Sequence, residues 1–410
     1  MRVPTIDRGE GAASPWGRPR PAEESIRIVP QEAPLAGLVV GGTLLTLLTF
    51  GIYRFWYRTR LRRYYWGNTT VLGDGFDYTG TGRELLVGFL IMLAIFVPLN
   101  FAASLVGLFA GENVGGILSG VIALLILPAF IQIAIYRARG YRLARTRFRG
   151  VRFHQTGTGT GFLITTAKWL ILTILSLGIC YPYLSEAMHR YRIENTHFGS
   201  LQAETRSSAK VLMKPWLLVW TVLVILLVMV GAVAVTTALA LSEFAIGVEL
   251  LIAACALAVL PILWQNYRVA EFRHFVSTTR FGALTLSSDA SARSVIWITV
   301  KYLVILAVTM LGLGIVLGNL LFGSVGAMSD LLDEENYSLG SSLGVVLIPL
   351  ALLIAYALVT ELYFRRRLWV HYAGSISLTN TSQLASIIQR AGQDGGAFGD
   401  SFDPGFDIAG

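Results

Sequence analysis

Residues Lys168–Gly199 read K-W-L-I-L-T-I-L-S-L-G-I-C-Y-P-Y-L-S-E-A-M-H-R-Y-R-I-E-N-T-H-F-G. An apolar run breaks at Gly178-Ile179-Cys180-Tyr181-Pro182, passes into a polar helix-like segment and closes on Asn195-Thr196, with Gly199 after it. Proline has no N–H and its ring collides with the preceding turn, so the break suits a change of direction. The same pattern stands earlier, at Leu47-Leu48-Thr49-Phe50-Gly51-Ile52-Tyr53, a basic segment, Tyr64 and Asn68-Thr69-Thr70. The shift is constant (178−51 = 127, 191−64 = 127, 195−68 = 127). A second constant shift relates Pro128 to Pro261, Arg147 to Arg280 and Lys168 to Lys301 (261−128 = 133, 280−147 = 133, 301−168 = 133). A duplicated membrane unit is the simplest account. It divides the chain into units at 35–161 and 162–294 and a partial third at 295–378. The flanks, 1–34 and 379–410, are expected to be disordered cytoplasmic tails, the second beginning with a short helix at Ser382–Arg390.

Composition agrees with a membrane protein. Hydrophobic residues make up 54% of the 410 and charged ones 14%, against about a quarter charged in soluble domains. The net charge of +8 comes almost wholly from arginines beside apolar runs, where they orient the chain and touch anionic lipid. Nucleic acid is not an expected partner. Cys180 and Cys255 lie at or in apolar runs and suggest neither a metal motif nor a disulfide framework.

Leu35–Tyr53 is an apolar run weakened by Gly37, Gly41, Gly42 and Gly51. Arg54–Trp66, R-F-W-Y-R-T-R-L-R-R-Y-Y-W, alternates arginine with aromatic side chains, as an interfacial helix does. The Gly-Asp-Gly and Thr-Gly-Thr-Gly elements of 67–82, and Thr156–Gly159 later, read as turns between short strands of small cytoplasmic caps. Leu85–Ala110 with Val114–Tyr136, Trp216–Leu241 with Ile246–Gln265, and Val295–Phe322 with Leu343–Phe364 read as paired spans. Arg137–Arg152 carries seven arginines and no acid, and marks the inside; the acidic Ser329–Glu335 fits the outside.

The two remaining runs, 35–53 and 162–181, decide the topology. If both crossed, loops 54–84 and 182–214 would face opposite sides, yet both are basic. The reading adopted is an all-α polytopic protein with six transmembrane helices, both termini inside, and two re-entrant or interfacial apolar helices. Eight crossings are the alternative.

At Phe153–Gly199 the sequence resembles the YjgN family of bacterial inner-membrane proteins. The matching elements are Phe153 with Thr156–Gly159, Leu172–Pro182, His189–Arg192, and Asn195-Thr196 with Gly199. Leu45–Gly80 matches again through Asn68-Thr69-Thr70, Gly73, Phe76 and Tyr78. Cys180 departs from the family's usual tyrosine, Tyr183 from its tryptophan and Arg54 from its proline. The resemblance implies an inner-membrane location and no assigned activity.

No reactive constellation stands out, so an enzyme, a cofactor and a metal are not expected. The candidate residues are Lys168, Gly178, Cys180, Tyr181, Pro182 and Asn195 in the second unit, Gly51 and Asn68 in the first, and the intramembrane polar groups Asn100, Gln132 and Lys301. Buried polar groups in a bilayer tend to face a bundle interior or cavity. Lys168 and Lys301 would either snorkel to headgroups or neutralise an anion beneath the Gly-Pro break. The leading function is transport of a small solute, an anion being the kind that Lys168 and Lys301 would suit. The alternative is a non-transporting scaffold that organises anionic lipid.

Overall fold

The computed structural model describes residues 24–28, 32–238, 245–322 and 339–386. The acidic stretch 329–335, the side chains of Glu249 and Cys255, and residues beyond 386 lie outside that set. The chain is mostly helical, and a single curled sheet ties the helices together.

That sheet is built from short repeated pieces. Its strands are β1 (Glu24–Ser25), β2 (Arg27–Ile28), β3 (Thr69–Val71), β4 (Asp74–Tyr78), β5 (Thr146–Phe148), β6 (Val151–Gln155), β7 (Thr196–Phe198), β8 (Leu201–Thr205), β9 (Thr279–Phe281), β10 (Leu284–Ser288) and β11 (Ile376–Thr379). Threonine, valine and phenylalanine dominate the first strand of each pair, and such residues suit a pleated, half-buried surface. Two-residue turns join the pairs. Leu72-Gly73 and Arg149-Gly150 have positive φ at both positions, the mirror-image turn whose twist matches that of paired strands.

The strand order is β1-β11-β10-β9-β8-β7-β6-β5-β4-β3-β2, antiparallel throughout. The sheet is a curled half-barrel, and its first and last strands are neighbours in the chain, with Ile26 between them. Two expectations are corrected here. The separate caps are one sheet, because strands too short to stand alone pair across successive hairpins. The segment 24–28, placed in a disordered tail, pairs with β11 on one side and β3 on the other.

Register fixes which side chains point inward. Phe76 faces Phe148, Phe153 faces Phe198, Ala203 faces Phe281 and Leu286 faces Leu378, the same strand position each time. Val71, Phe148, Phe198, Leu284 and Leu378 are buried together as the inner core, and Phe153 stacks on Phe198 at 4.4 Å. One residue along, alternation turns the side chains to the other face. There Asp77 opposes Arg147, Glu204 opposes Arg280 and His154 stacks on His197 at 4.7 Å.

Helices connect the strand pairs. They are α1 (Glu32–Leu48) with α2 (Arg54–Gly67); α3 (Gly82–Ala110) with α4 (Glu112–Val121) and α5 (Leu127–Arg145); α6 (Gly159–Leu175) with α7 (Tyr181–Glu194); α8 (Ala209–Ala238) with α9 (Ala245–Thr278); and α10 (Ala292–Phe322) with α11 (Leu339–Val359) and α12 (Arg366–Gly374). One π-helical turn, Ile122–Ile126, joins α4 to α5, and another, Thr360–Arg365, joins α11 to α12. Each connection leaves the sheet and returns to it.

Five stretches are long and apolar enough to span a bilayer: Gly82–Phe109, Asn113–Arg145, Ala209–Val235, Ala292–Leu320 and Val346–Gly374. The 34-residue α9 is a further long helix, and α1 and α6 have 17 residues each. Little of the spans is covered by protein, between 0% and 17% of each apolar window. A 3₁₀ turn at Thr381–Ser386 covers the start of the helix expected at Ser382–Arg390, of which residues 387–390 lie outside the described set.

Junctions between sheet and helices repeat closely. Thr69, Thr146, Thr196 and Thr279 each bond the carbonyl four residues back with the side-chain hydroxyl. At the other end Thr81 and Thr158 are helix N-caps, Thr81 with Glu84 forming a capping box. The Thr-Gly-Thr-Gly elements therefore start helices instead of joining strands, since a threonine hydroxyl accepts the first free helical N–H groups. The N-cap N–H groups of Thr81, Thr158, Ser208 and Ser291 donate to Tyr141 Oη, Tyr191 Oη, His274 Nε2 and His371 Nε2 at 3.0–3.3 Å.

Candidate functional site

Beneath the sheet, where the helices enter it, lies a cavity of about 370 Å³. Four arginines from three helices line it: Arg62 on α2, Arg139 and Arg142 on α5, and Arg192 on α7. Helical spacing explains the convergence. Arg62 and Arg139 each stand seven residues before the first strand threonine (69−62 = 7, 146−139 = 7), and Arg142 and Arg192 stand four before (146−142 = 4, 196−192 = 4). Because i and i+4 share a helix face, both offsets point to the same side.

Local bonds hold these guanidiniums. Arg139 Nη1 donates to Gln155 Oε1 and Thr196 Oγ1, both at 2.9 Å. Arg62 is only 4% exposed and donates to Tyr78 Oη at 3.3 Å. Arg192 lies 5.4 Å above the Phe162 ring. Trp66 and Trp369 complete the wall with ring centres 5.2 Å apart. Their indole N–H groups donate to Thr146 Oγ1 at 2.9 Å and Thr69 Oγ1 at 3.0 Å, fastening neighbouring strand pairs to each other.

The chamber adjoins an apolar space. Ile26, Phe76 and Phe153 line both it and a second cavity of about 200 Å³ inside the sheet, whose described lining is wholly apolar. No Asp or Glu is among the described residues lining the first cavity. Guanidiniums offer planar, paired donors to carboxylate or phosphate, and the adjoining space accepts hydrocarbon. The arrangement can hold a molecule with an anionic head and an apolar tail.

The sequence-derived candidates stand elsewhere. Gly51 and Gly178 have φ of +88° and +92°, and their N–H groups bond Thr46 O and Thr173 O at 2.7 Å in two copies of one turn. Trp216 and Trp220 donate indole N–H to Gly178 O at 3.0 Å and Leu177 O at 2.8 Å. Cys180 precedes α7, its N–H on Ser176 Oγ at 3.1 Å. Pro182 is buried in the first turn of α7, and Tyr181 packs against Trp216, Trp264 and Tyr267. Asn68 and Asn195 close α2 and α7, each amide donating to the carbonyl four residues back. Asn100 is exposed and bonds Phe96 O within its own helix, and Gln132 has a buried Oε1 with no hydrogen bond among the described residues. Lys168 and Lys301 are exposed on α6 and α10. None of these eleven lines the arginine chamber.

Histidine chemistry is absorbed by packing. His189 stacks on Phe275 at 4.0 Å, and burial lowers its pKa to about 3, so it is neutral at physiological pH. Among the described residues no group of three or more His, Cys, Asp or Glu side chains is placed to hold a metal ion.

Residues 32–319 match the family described as "Bacterial protein of unknown function (DUF898)". The chain belongs to that family. The DUF898 chain is also similar to the inner membrane protein YjgN of Escherichia coli (strain K12), with 29% identity over 148 residues. That stretch covers 35% of the chain and 34% of the relative, so the match spans about a third of YjgN. No solved structure matches the chain. The YjgN resemblance read from Phe153–Gly199 is thus shown, and with the long apolar helices it makes this DUF898 member an integral membrane protein.

Proposed function

We propose that this DUF898 protein binds an anionic amphiphile at the cytoplasmic face of the inner membrane, holding the head in the arginine chamber and the hydrocarbon beneath the sheet. The observation that carries the reading is the meeting of Arg62, Arg139, Arg142 and Arg192 in one cavity that shares Ile26, Phe76 and Phe153 with an adjoining apolar one. This favours the lipid-organising alternative over carriage of a free solute. Carriage of a solute rests on re-entrant segments lining a route past Lys168 and Lys301, and both lysines are exposed and line no part of the chamber.

The proposed topology has six crossings, with α1–α2 and α6–α7 as re-entrant hairpins. Every connection begins and ends at one sheet, so α6 cannot cross unless α7 crosses back. At about 1.5 Å per residue, the 14-residue α7 is short for that task. The hairpin tips are apolar and bare: Phe50 is 98% and Leu177 82% exposed. Such tips suit hydrocarbon, and the two tryptophans supply donors to carbonyls that water would not reach there. Arg63 on α2, Arg145 on α5 and Arg273 on α9 stand six, one and six residues before the next strand (69−63 = 6, 146−145 = 1, 279−273 = 6), so the positive-inside rule assigns the sheet to the cytoplasm.

The test is a titration of the purified full chain in nanodiscs with dioctanoyl phosphatidate, read by Trp66 and Trp369 fluorescence and by isothermal calorimetry. Arg139→Gln with Arg192→Gln is expected to weaken binding by at least about tenfold, since each charge-assisted hydrogen bond is worth about 1.5–3 kcal/mol. Unchanged affinity in a folded double variant would remove the chamber from the account.

A further inference from the structure

A second cavity of charged character opens beside the first. It measures about 320 Å³ and lies between the α1–α2 hairpin and the π-helical turn Thr360–Arg365. Thr43, Arg54, Tyr57, Arg58, Glu361 and Arg365 supply its polar wall, and Arg62 is shared with the arginine chamber.

Glu361 sets the chemistry. Its side chain is 10% exposed, and Oε1 accepts from Arg365 Nη1. Oε2 is buried and has no hydrogen bond among the described residues. Such an atom costs free energy until something donates to it. Arg58 is also close enough to act on the carboxylate. The wall therefore presents an acceptor awaiting a donor beside guanidiniums that favour a phosphate. The π turn inserts an extra residue per turn, which re-aims the side chains at this point, and such turns recur at functional sites. Apolar Leu47 and Leu353 finish the groove.

We propose that this groove binds a phospholipid whose headgroup carries both a phosphate and a primary ammonium. The ammonium donates to Glu361 Oε2 while the phosphate lies against Arg54, Arg58 and Arg365. A purely anionic headgroup would set its charge against Glu361. A quaternary ammonium has no N–H to donate. The site adjoins the proposed chamber through Arg62 but uses none of Arg139, Arg142 and Arg192, so it does not depend on lipid binding there.

The experiment is native mass spectrometry of the full chain with phosphatidylethanolamine, its N-methyl and N,N-dimethyl derivatives, phosphatidylcholine and phosphatidylglycerol, all with matched chains. The unmethylated lipid is expected to bind at least about tenfold more tightly than phosphatidylcholine, because a charge-assisted hydrogen bond is lost with the last N–H. Glu361→Gln should bring that ratio close to one. Arg58→Gln should weaken both lipids alike. The chamber variant Arg139→Gln with Arg192→Gln should leave the ratio intact, which separates failure here from failure there. Equal binding across the methylation series in the wild-type chain overturns the proposal, even if Glu361→Gln does not fold. So does a Glu361→Gln protein that keeps the preference.

Discussion

Phe198→Asp is expected to abolish folding of the sheet. Phe198 is buried at the centre of the inner core, on β7 in the middle of the strand order, stacked on Phe153 and 6.2 Å from Phe148. Losing the ring alone costs about 3–5 kcal/mol. The new carboxylate adds a burial penalty of about 2 kcal/mol or more, because the surrounding side chains offer it no donor. Together these approach the whole stability of a domain. Phe198→Leu keeps the site apolar and should cost only about 1–2 kcal/mol. Fluorescence-detected size exclusion after heating distinguishes them. Phe198→Leu should retain a monodisperse peak and Phe198→Asp should not. A wild-type melting profile for Phe198→Asp would mean that the sheet interior is solvated.

Glu271→Ala is expected to have the second-largest effect, by releasing α7 from α9. Glu271 is 1% exposed. It accepts from Ser185 on α7, from Tyr267 Oη at 3.2 Å and from Arg268 Nη1 at 2.5 Å. Removing the acid strands several donors at once. Breaking a buried pair costs about 3–5 kcal/mol, and partial exposure of Arg268 places this case near the lower end. Glu204→Ala is the control. Glu204 also pairs with an arginine, Arg280, but its side chain is 57% exposed, so its loss should cost about 0–1 kcal/mol. Equal melting shifts for Glu271→Ala and Glu204→Ala would contradict the assignment of Glu271 as the joint between these helices.

What the sequence made legible was the helical layer and its turns. The Gly51 and Gly178 breaks form closely matching backbone turns, as a constant shift of 127 implies, and the arginine runs lie on the helices that lead into the sheet. Short strands were legible beside the Gly-Asp-Gly and Thr-Gly elements, but their union in one sheet stayed hidden for a physical reason. Its strands have two to five residues, too few for an alternating pattern to stand out, and partners come from successive hairpins. The equivalent threonines Thr69, Thr146, Thr196 and Thr279 are spaced unevenly (146−69 = 77, 196−146 = 50, 279−196 = 83) because the connecting helices differ in length. The visible shifts, 127 and 133, each skip one strand pair.

The chamber was hidden for a related reason. Arg62, Arg139, Arg142 and Arg192 each sit in a basic stretch that reads as an orientation signal, and only the curl of the sheet brings them together. Lys168 and Lys301 drew notice as charges in apolar runs. They lie within the first three turns after the sheet, where a long side chain can reach the interface.

Single cysteines at Thr70, Ser200 and Asp333, in a variant lacking Cys180 and Cys255, test the one-sided sheet most directly. Intact cells would be treated with a membrane-impermeant thiol reagent, and again after the membrane is opened. Thr70 lies in β3 and the exposed Ser200 in the turn between β7 and β8; both should stay unlabelled until the membrane is opened, while position 333 reacts from outside. Labelling of one of positions 70 and 200 in intact cells, but not the other, would place strands of one sheet on opposite sides of the bilayer and contradict the account.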